Sequence, residues 1–191
     1  MNPRELLRHL ENGKRILILD GGRGTLLAEK GWNPPALPEE MNLGSPEIVE
    51  SIHASYRSAG ADILETNTFG GSPVKLAARG LGARAKEINA RAAALARSAA
   101  GTECLVAGSM GPLGELLAPF GKLTFEEARK VFRVQAEGPR QALPAPQRGH
   151  ASCGYGAVPS ASAALRRTST ARLARLHEAG HAGTASVRPA A

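Results

Sequence analysis

The feature that most constrains the fold of this chain is a repeat in which a short apolar run, a glycine-rich turn and a helix-like segment follow one another three times. The apolar runs are residues 15–20, 61–65 and 103–107. Short β-branched runs that end in such turns are typical of strands buried on both faces. Alternating strands and helices predict a parallel sheet with right-handed crossovers. This pattern alone fits either a closed barrel or an open doubly wound sheet.

The first long helix is predicted from its two ends. Ser45 with Pro46 and an acid directly after them is a typical helix start. Tyr56 closes an apolar stripe at four-residue spacing that includes Ile48 and Ile52. Gly60 can adopt the left-handed conformation that ends a helix. We therefore expect a helix from Pro46 to about Gly60.

Two further helices are predicted downstream. One is an alanine-rich segment from about residue 83 to residue 100, which stops at Gly101. The other begins at Thr124, because Glu127 stands three residues later and completes a capping box. The residues of this helix that we expect to face inward are Phe125, Ala128 and Phe132.

The composition of the chain changes near Gly138. Residues 139–191 hold seven of the 24 basic residues but only one of the 17 acidic ones, so most of the net charge of +7 lies there. This segment is rich in Ala, Arg, Pro, Ser and Gly and has few large apolar residues, so it cannot bury enough surface to offset the entropy of ordering. We expect residues 1–138 to form the folded part and residues 139–191 to be a disordered tail.

Composition also argues against several classes of protein. No run approaches the roughly 20 apolar residues of a membrane span, and the first residues lack the apolar core of a signal peptide. The two cysteines, Cys104 and Cys153, form no CxxC pair. We expect a cytoplasmic protein with no membrane partner.

Ligands are expected at the three turns, because each turn lies at the carboxyl end of a predicted strand. That end carries the binding site both in barrels and in doubly wound sheets. The turn sequences are DGGRG at 20–24, TNTFGG at 66–71 and GSMGPLG at 108–114.

Several motifs together resemble the homocysteine S-methyltransferase family. They are DGGRGTLL at 20–27, the segment from PEEMN to SPVKL at 38–76, EIN at 87–89 and VAGSMGPLG at 106–114. Their order and spacing are those of the family, and the resemblance covers nearly all of residues 15–138. It implies a TIM barrel, of which about the first three of eight strand-helix units are recognisable here, followed by a tail without homology to the fold.

The resemblance implies methyl transfer to the thiol of homocysteine. In the family, zinc held by cysteines lowers the pKa of the thiol and supplies the thiolate nucleophile. The methyl group comes from methylcobalamin, recharged by methyltetrahydrofolate on other modules, or from betaine or S-methylmethionine. The implied partners are therefore homocysteine and a methyl donor or donor module, whereas nucleic acid is not an expected partner.

Site residues are carried over by position. The amino-acid end of homocysteine would bind at Asp20 with Gly21 and Gly22, and the carboxylate would accept from the ammonium group. The mouth of the site at the next two strands would be lined by Glu65, Thr66, Asn67, Thr68, Ser109 and Gly111. The alternatives are structural: Asp20 could cap the following helix, and the polar residues of the later turns could satisfy backbone groups.

Departures from the family bear on activity. Arg23 stands where the family usually has an apolar residue, so its charge would need solvent or a partner. The adjacent cysteine pair of the family's zinc site is absent, and Cys104 reads as a buried core residue. Cys153 is followed by glycine, as is one zinc cysteine of the family, but it comes without the intervening strands. We assign no metal ligands or catalytic residues and expect a truncated chain without activity.

Other interpretations concern the tail. His177, Glu178 and His181 fit the HExxH pattern of zinc peptidases, but they lack the expected context and a third ligand, so chance explains them better. A reading-frame shift after Gly138 would explain the tail composition. The competing function is a noncatalytic half-barrel whose basic tail binds a partner or nucleic acid.

Overall fold

The computed structural model describes residues 16–102, 104–142 and 152–153, with the backbone alone for Gln141, Ser152 and Cys153. Its helices are α1 (Arg23–Glu29), α2 (Met41–Gly44), α3 (Pro46–Ala59), α4 (Pro73–Ala77), α5 (Ala85–Ala100) and α6 (Phe125–Ala142). Its strands are β1 (Ile63–Glu65), β2 (Leu105–Ala107), β3 (Ser109–Met110) and β4 (Ser152–Cys153). Short 3₁₀ helices span Pro38–Glu40 and Gly82–Arg84. The fold is therefore mixed α/β.

The strands pair in parallel, as the alternating pattern predicts. β1 pairs with β2 from Ile63↔Leu105 to Glu65↔Ala107, and Leu19 forms a single parallel bridge to Ile63 on the other side of β1. β3 pairs with β4 in a second parallel ladder. The first three apolar runs of the chain thus lie side by side in chain order.

The first predicted strand is shorter than expected. Within residues 16–20 only Leu19 makes a bridge, and the expectation of burial on both faces is wrong. Ile18 is 8% exposed, whereas Ile16 and Leu19 are 37% and 45% exposed. Alternate side chains of an extended segment point to opposite faces, and here the described elements cover one face only.

Helix α3 confirms the predicted boundaries. It begins at Pro46, and Gly60 ends it in the left-handed conformation at φ 100°. Ser45 precedes the helix, but its side chain makes no capping hydrogen bond. The predicted stripe is also confirmed, because Ile52 and Tyr56 are buried in the main core and Ile48 packs against it.

Helix α5 runs along the core and ends before Gly101, as predicted. Its buried face is made of small side chains, including Ala92, Ala93 and Ala96. The main core lies between this helix, α3 and the two paired strands, and it includes Leu27, Leu64 and Val106. Burial of apolar surface from all these elements holds the strands' carboxyl ends together.

Helix α6 begins with the predicted capping box. The amide of Thr124 donates to Glu127 at 2.8 Å, and the Glu127 amide donates back to the Thr124 hydroxyl at 3.3 Å. Ala128 is buried, but the expectation that Phe125 faces inward is wrong, since it is 70% exposed. Phe125 is the first residue of the helix and precedes its first buried residue, Ala128, by three positions.

Most of the predicted tail lies outside the described residues, but its first residues do not. The helix α6 continues through Pro139 to Ala142, beyond the composition break at Gly138. His177, Glu178 and His181 lie outside, as does nearly all of residues 139–191 beyond the helix. None of the described helices combines the length and apolar character that crossing a bilayer requires.

Candidate functional site

One cavity of about 1050 Å³ opens at the carboxyl ends of the parallel strands. Two turns form much of its wall: the first turn, residues 20–24, and the second turn, residues 66–71. Eight of the nine residues predicted to bind substrate line it, namely Asp20, Gly21, Gly22, Glu65, Thr66, Asn67, Thr68 and Ser109. The predicted turn at 108–114 differs from expectation, since Ser109 and Met110 form β3.

Gly111, the ninth predicted residue, is not among the residues that line the cavity. Its amide donates to the Phe69 carbonyl at 3.0 Å. A Cβ at this position would lie 2.5 Å from the same oxygen, so only glycine allows the two segments to approach so closely. Gly111 therefore fixes the second turn against the segment after β3.

Asp20 lies at the base of the first turn with a side chain that is 0% exposed. One carboxylate oxygen accepts from the Glu65 amide at 3.1 Å, and the other accepts from Arg23 at 2.7 Å. Burial raises the pKa of Asp20 from 3.8 to about 6, against the opposing charge of Arg23. Asp20 thus ties the first turn to β1.

Asp20 provides the partner that the charge of Arg23 requires. Its guanidinium pairs with Asp20, lies 3.8 Å from Glu65 and donates to the Thr66 carbonyl at 3.4 Å. The Arg23 side chain is only 10% exposed, whereas the Glu65 side chain is 31% exposed. Arg23, which departs from the family pattern at this position, is therefore a fixed part of the cavity wall.

His53 is a buried histidine that the sequence did not single out. It comes from α3, is 0% exposed, and its Nδ1 lies 3.9 Å from Asp20. Neither ring nitrogen has a hydrogen-bond partner in the described part of the chain. Burial, with a smaller contribution from the charge of Arg23, lowers the pKa of His53 to about 3, so the ring is neutral at physiological pH.

The hydroxyls of the second turn are occupied by the protein itself. Thr66 and Thr68 share a hydrogen bond at 2.6 Å. Thr68 also donates to the Ser109 carbonyl at 2.7 Å, and the Ser109 amide donates to the Thr66 hydroxyl at 3.0 Å. Both threonines are almost fully buried. This arrangement favours the structural interpretation of Thr66 and Thr68.

Asn67 is fixed in the same way by the loop that precedes α3. Its amide group donates to the Pro38 carbonyl at 2.8 Å and to the Asn42 side chain at 3.0 Å. Asn42 in turn donates to the Asn67 carbonyl at 2.9 Å. The two asparagines therefore join distant segments through a closed pair of hydrogen bonds.

Two other buried residues support this turn and were missed from the sequence. Gln135 of α6 donates to the Thr68 carbonyl at 2.7 Å, and Asn89 of α5 donates to the Gly71 carbonyl at 2.8 Å. Gln135 stands seven residues after Ala128, on the same helix face, so its position on a buried stripe could have identified it. Asn89 belongs to the EIN motif but had no assigned role.

Glu39 is a second buried acid at the cavity wall. It accepts from the Gly70 amide at 2.5 Å, while its second oxygen has no hydrogen-bond partner among the described residues. Burial raises the pKa of Glu39, and the hydrogen bond from Gly70 opposes that rise. Lys75 also lines the cavity and lies 5.4 Å from the centre of the Phe69 ring.

No group of three His, Cys, Asp or Glu side chains in the described part of the chain is placed to hold a metal ion. Cys104 is buried, its thiol donates to the Ala61 carbonyl at 3.1 Å, and it does not line the cavity. This contact agrees with the core role predicted for Cys104. The side chain of Cys153, the other cysteine considered, lies outside the described residues.

Comparisons with known proteins agree with the motifs. The family model described as homocysteine S-methyltransferase matches residues 17–147. Over 136 residues the chain is 36% identical to the homocysteine S-methyltransferase of Escherichia coli strain K12, a match that covers 62% of this chain and 42% of the relative.

Solved structures show the same relationship. The metallated form of the homocysteine methyltransferase MmuM from Escherichia coli superposes with a TM-score of 0.61 at 29% identity, covering 71% of this chain and 54% of that one. Its oxidized form gives the same TM-score over 53% of its length. The chain thus spans about half the length of the relatives that it matches.

Proposed function

Since the chain belongs to the homocysteine S-methyltransferase family, we propose that its cavity binds homocysteine and that its reaction is methyl transfer to the homocysteine sulfur. We further propose that residues 1–138, with the end of helix α6 up to Ala142, are the first strand-helix units of a TIM barrel and that the remainder of residues 139–191 forms a separate tail. In the reaction the thiol loses its proton, a sulfur–carbon bond forms, and the bond between the methyl group and its donor breaks. The product is methionine.

One observation carries this proposal. A single cavity is lined by residues from three segments that lie far apart in the sequence. These segments are the first turn, the end of β1 with the second turn, and β3. In parallel α/β folds, substrates bind at the carboxyl ends of the strands. The partly exposed carboxylate of Glu65 stands at that edge, where it favours a ligand that carries an ammonium group.

The proposed roles of the site residues follow from their exposure. Glu65 presents its partly exposed carboxylate to the cavity, so we assign it contact with the substrate ammonium. Gly21 and Gly22 allow the ligand to approach the backbone. Thr66, Asn67, Thr68, Ser109 and Gly111 hold the second turn in place, because their polar groups are occupied by backbone and side-chain partners.

Zinc is the metal that the family implies, and when bound it would supply a thiolate at neutral pH. The described residues do not fit this ion, because they contain no suitable ligand cluster. None of the described residues is therefore assigned as a metal ligand.

The test is homocysteine binding by the full chain, measured by calorimetric titration, with methyl transfer from methylcobalamin, betaine and S-methylmethionine assayed on the same sample. We expect Glu65→Gln to weaken homocysteine binding by about 10-fold, the effect of losing roughly 1.4 kcal/mol of interaction. Glu29→Gln is the matched control, because Glu29 is exposed and does not line the cavity.

Two results would contradict the proposal. One is a full chain that binds homocysteine no better than 2-aminobutyrate, which lacks the thiol. The other is equal homocysteine affinity in the wild type and Glu65→Gln. Zinc content should be measured in parallel, since stoichiometric zinc bound by described residues would contradict the poor fit of the ion.

A further inference from the structure

The carboxylate of Asp20 is already enclosed by the protein. Its side chain is 0% exposed, and each of its two oxygens accepts a hydrogen bond from the protein, one from the Glu65 amide and one from Arg23. A ligand ammonium could reach Asp20 only if the Arg23 side chain withdrew. The first turn therefore presents the positively charged guanidinium of Arg23 to the cavity, beside the acidic side chains around it.

Arg23 has donors to spare. A guanidinium carries five N–H groups in a fixed planar arrangement, and two of its nitrogens make one hydrogen bond each, to Asp20 and to the Thr66 carbonyl. Arg23 lines the cavity. The ion pair with Asp20 holds the guanidinium in one orientation, which limits the side-chain entropy that a ligand must remove on binding.

The geometry of the wall suits a zwitterion. Glu65 lies 3.8 Å from Arg23, and both residues line the cavity, so an anionic and a cationic group are presented side by side. An α-amino acid carries an ammonium and a carboxylate on one carbon atom. Planar guanidinium groups pair with carboxylates through two parallel hydrogen bonds, which gives both strength and orientation.

We propose that Arg23 binds the α-carboxylate of the amino-acid substrate, and that Asp20 is a positioning residue that holds the guanidinium rather than a direct contact of the substrate ammonium. This inference rests on the proposed function, since it concerns the same cavity. It reassigns the role predicted for Asp20 from the sequence and gives Arg23 a specificity-determining role.

The experiment compares ligands that differ by one charged group. Homocysteine, mercaptobutanoate (which lacks the amino group), aminopropanethiol (which lacks the carboxylate) and butanoate (which lacks both the amino group and the thiol) are titrated into the full chain. For the wild type we expect mercaptobutanoate to bind up to about 10-fold more tightly than aminopropanethiol, because the Arg23 contact that it keeps should contribute more than the Glu65 contact that it loses. This comparison requires no variant.

The variants are Arg23→Met, Arg23→Lys and the control Arg84→Met, which removes an exposed arginine that also pairs with an acid three residues away. We expect Arg23→Met to weaken homocysteine and mercaptobutanoate by about 10- to 100-fold, to leave aminopropanethiol unchanged or tighter, and Arg23→Lys to restore part of the loss. Circular dichroism establishes that each variant is folded.

The outcomes separate this inference from the proposed function. If Arg23→Met binds mercaptobutanoate as the wild type does, or weakens all ligands equally, the carboxylate role is wrong. If the wild type prefers aminopropanethiol, it is also wrong, even where Arg23→Met does not fold. Arg23-dependent binding of butanoate that matches mercaptobutanoate would support the carboxylate site while contradicting the thiol specificity of the proposed function.

Discussion

The first and second turns share one cavity wall but use their polar residues differently. In the second turn Thr66, Asn67 and Thr68 direct their hydrogen bonds into the protein, toward segments that include Pro38 and Ser109. In the first turn the charged groups of Asp20 and Arg23 meet each other at the cavity. The second turn is thus a rigid support, and the first turn is the part whose chemistry a ligand meets.

The glycines of the two turns show the same contrast. A Cβ at Gly22 or Gly24 would meet nothing within 4 Å. A Cβ at Gly71 would lie 2.6 Å from Asn89, and one at Gly70 would lie 3.0 Å from Glu39. Space is therefore left open at Gly22 and Gly24, although a Cβ at Gly21 would lie 3.2 Å from the Tyr56 hydroxyl, whereas Gly70 and Gly71 of the second turn are closely packed.

The largest expected effect tests the close packing of the second turn. Gly111→Ala should lower the free energy of unfolding by about 3 kcal/mol, because the new methyl group meets a backbone oxygen that cannot move without shifting the turn. Urea denaturation measures the change. Gly22→Ala is the control and should leave stability unchanged, since its backbone φ of −60° accepts alanine. Equal losses of unfolding free energy in both variants would contradict the difference in packing between the two turns.

A smaller effect is expected from the hydroxyl network. Thr66→Val keeps the shape of the side chain but removes the acceptor of the buried Ser109 amide, so it should destabilise the fold by about 2 kcal/mol. Thr66→Ser retains the hydroxyl and should be much closer to the wild type. Thermal denaturation distinguishes them, and a Thr66→Val protein as stable as Thr66→Ser would mean that the network contributes little.

The smallest effect concerns His53 beneath the first turn. Its pKa of about 3 in the fold lies below the unfolded value near 6.5. Between these two pH values His53 is protonated in the unfolded chain but not in the folded one. The free energy of unfolding is therefore highest above about pH 6.5 and decreases as pH falls toward 3. The stability of His53→Leu relative to the wild type should therefore improve by about 1 kcal/mol between roughly pH 7.5 and 5.5.

Asp20 titrates in the opposite sense and must be separated from His53. Its raised pKa of about 6 means that the folded chain takes up a proton before the unfolded chain does, so its contribution to stability rises as pH falls from about 6 to 3.8. This contribution is present in both the wild type and His53→Leu and largely cancels in their difference. A difference that does not vary with pH would mean that His53 protonates in the fold.

The sequence predicted local features of the fold well where one short segment determines them. Pro46, Gly60 and the pair Thr124 and Glu127 mark helix ends through contacts within a few residues. The convergence of strand ends on one site also followed from the alternating pattern, because parallel strands align their carboxyl ends. The motifs of the turns identified the family.

The division between support and ligand contact could not be predicted in the same way. Thr68 is occupied because Ser109 and Gln135 approach it from 41 and 67 residues away, and no local pattern contains those distances. The sequence also did not predict which group pairs with Arg23, because solvent could equally have stabilised the guanidinium charge. Phe125 was misplaced because the helix period fixes spacing but not which residue begins the packed face.

The loop between α1 and the 3₁₀ helix Pro38–Glu40 holds the only tryptophan of the chain, Trp32. Its indole donates to the Ala36 carbonyl at 3.0 Å and packs against the main core, directly before Leu37 and Pro38 of the cavity wall. The protein therefore carries a built-in fluorophore beside its cavity. Ligand-induced movement of that wall should change the emission of one identified residue, so that occupancy can be followed in real time without labelling the chain.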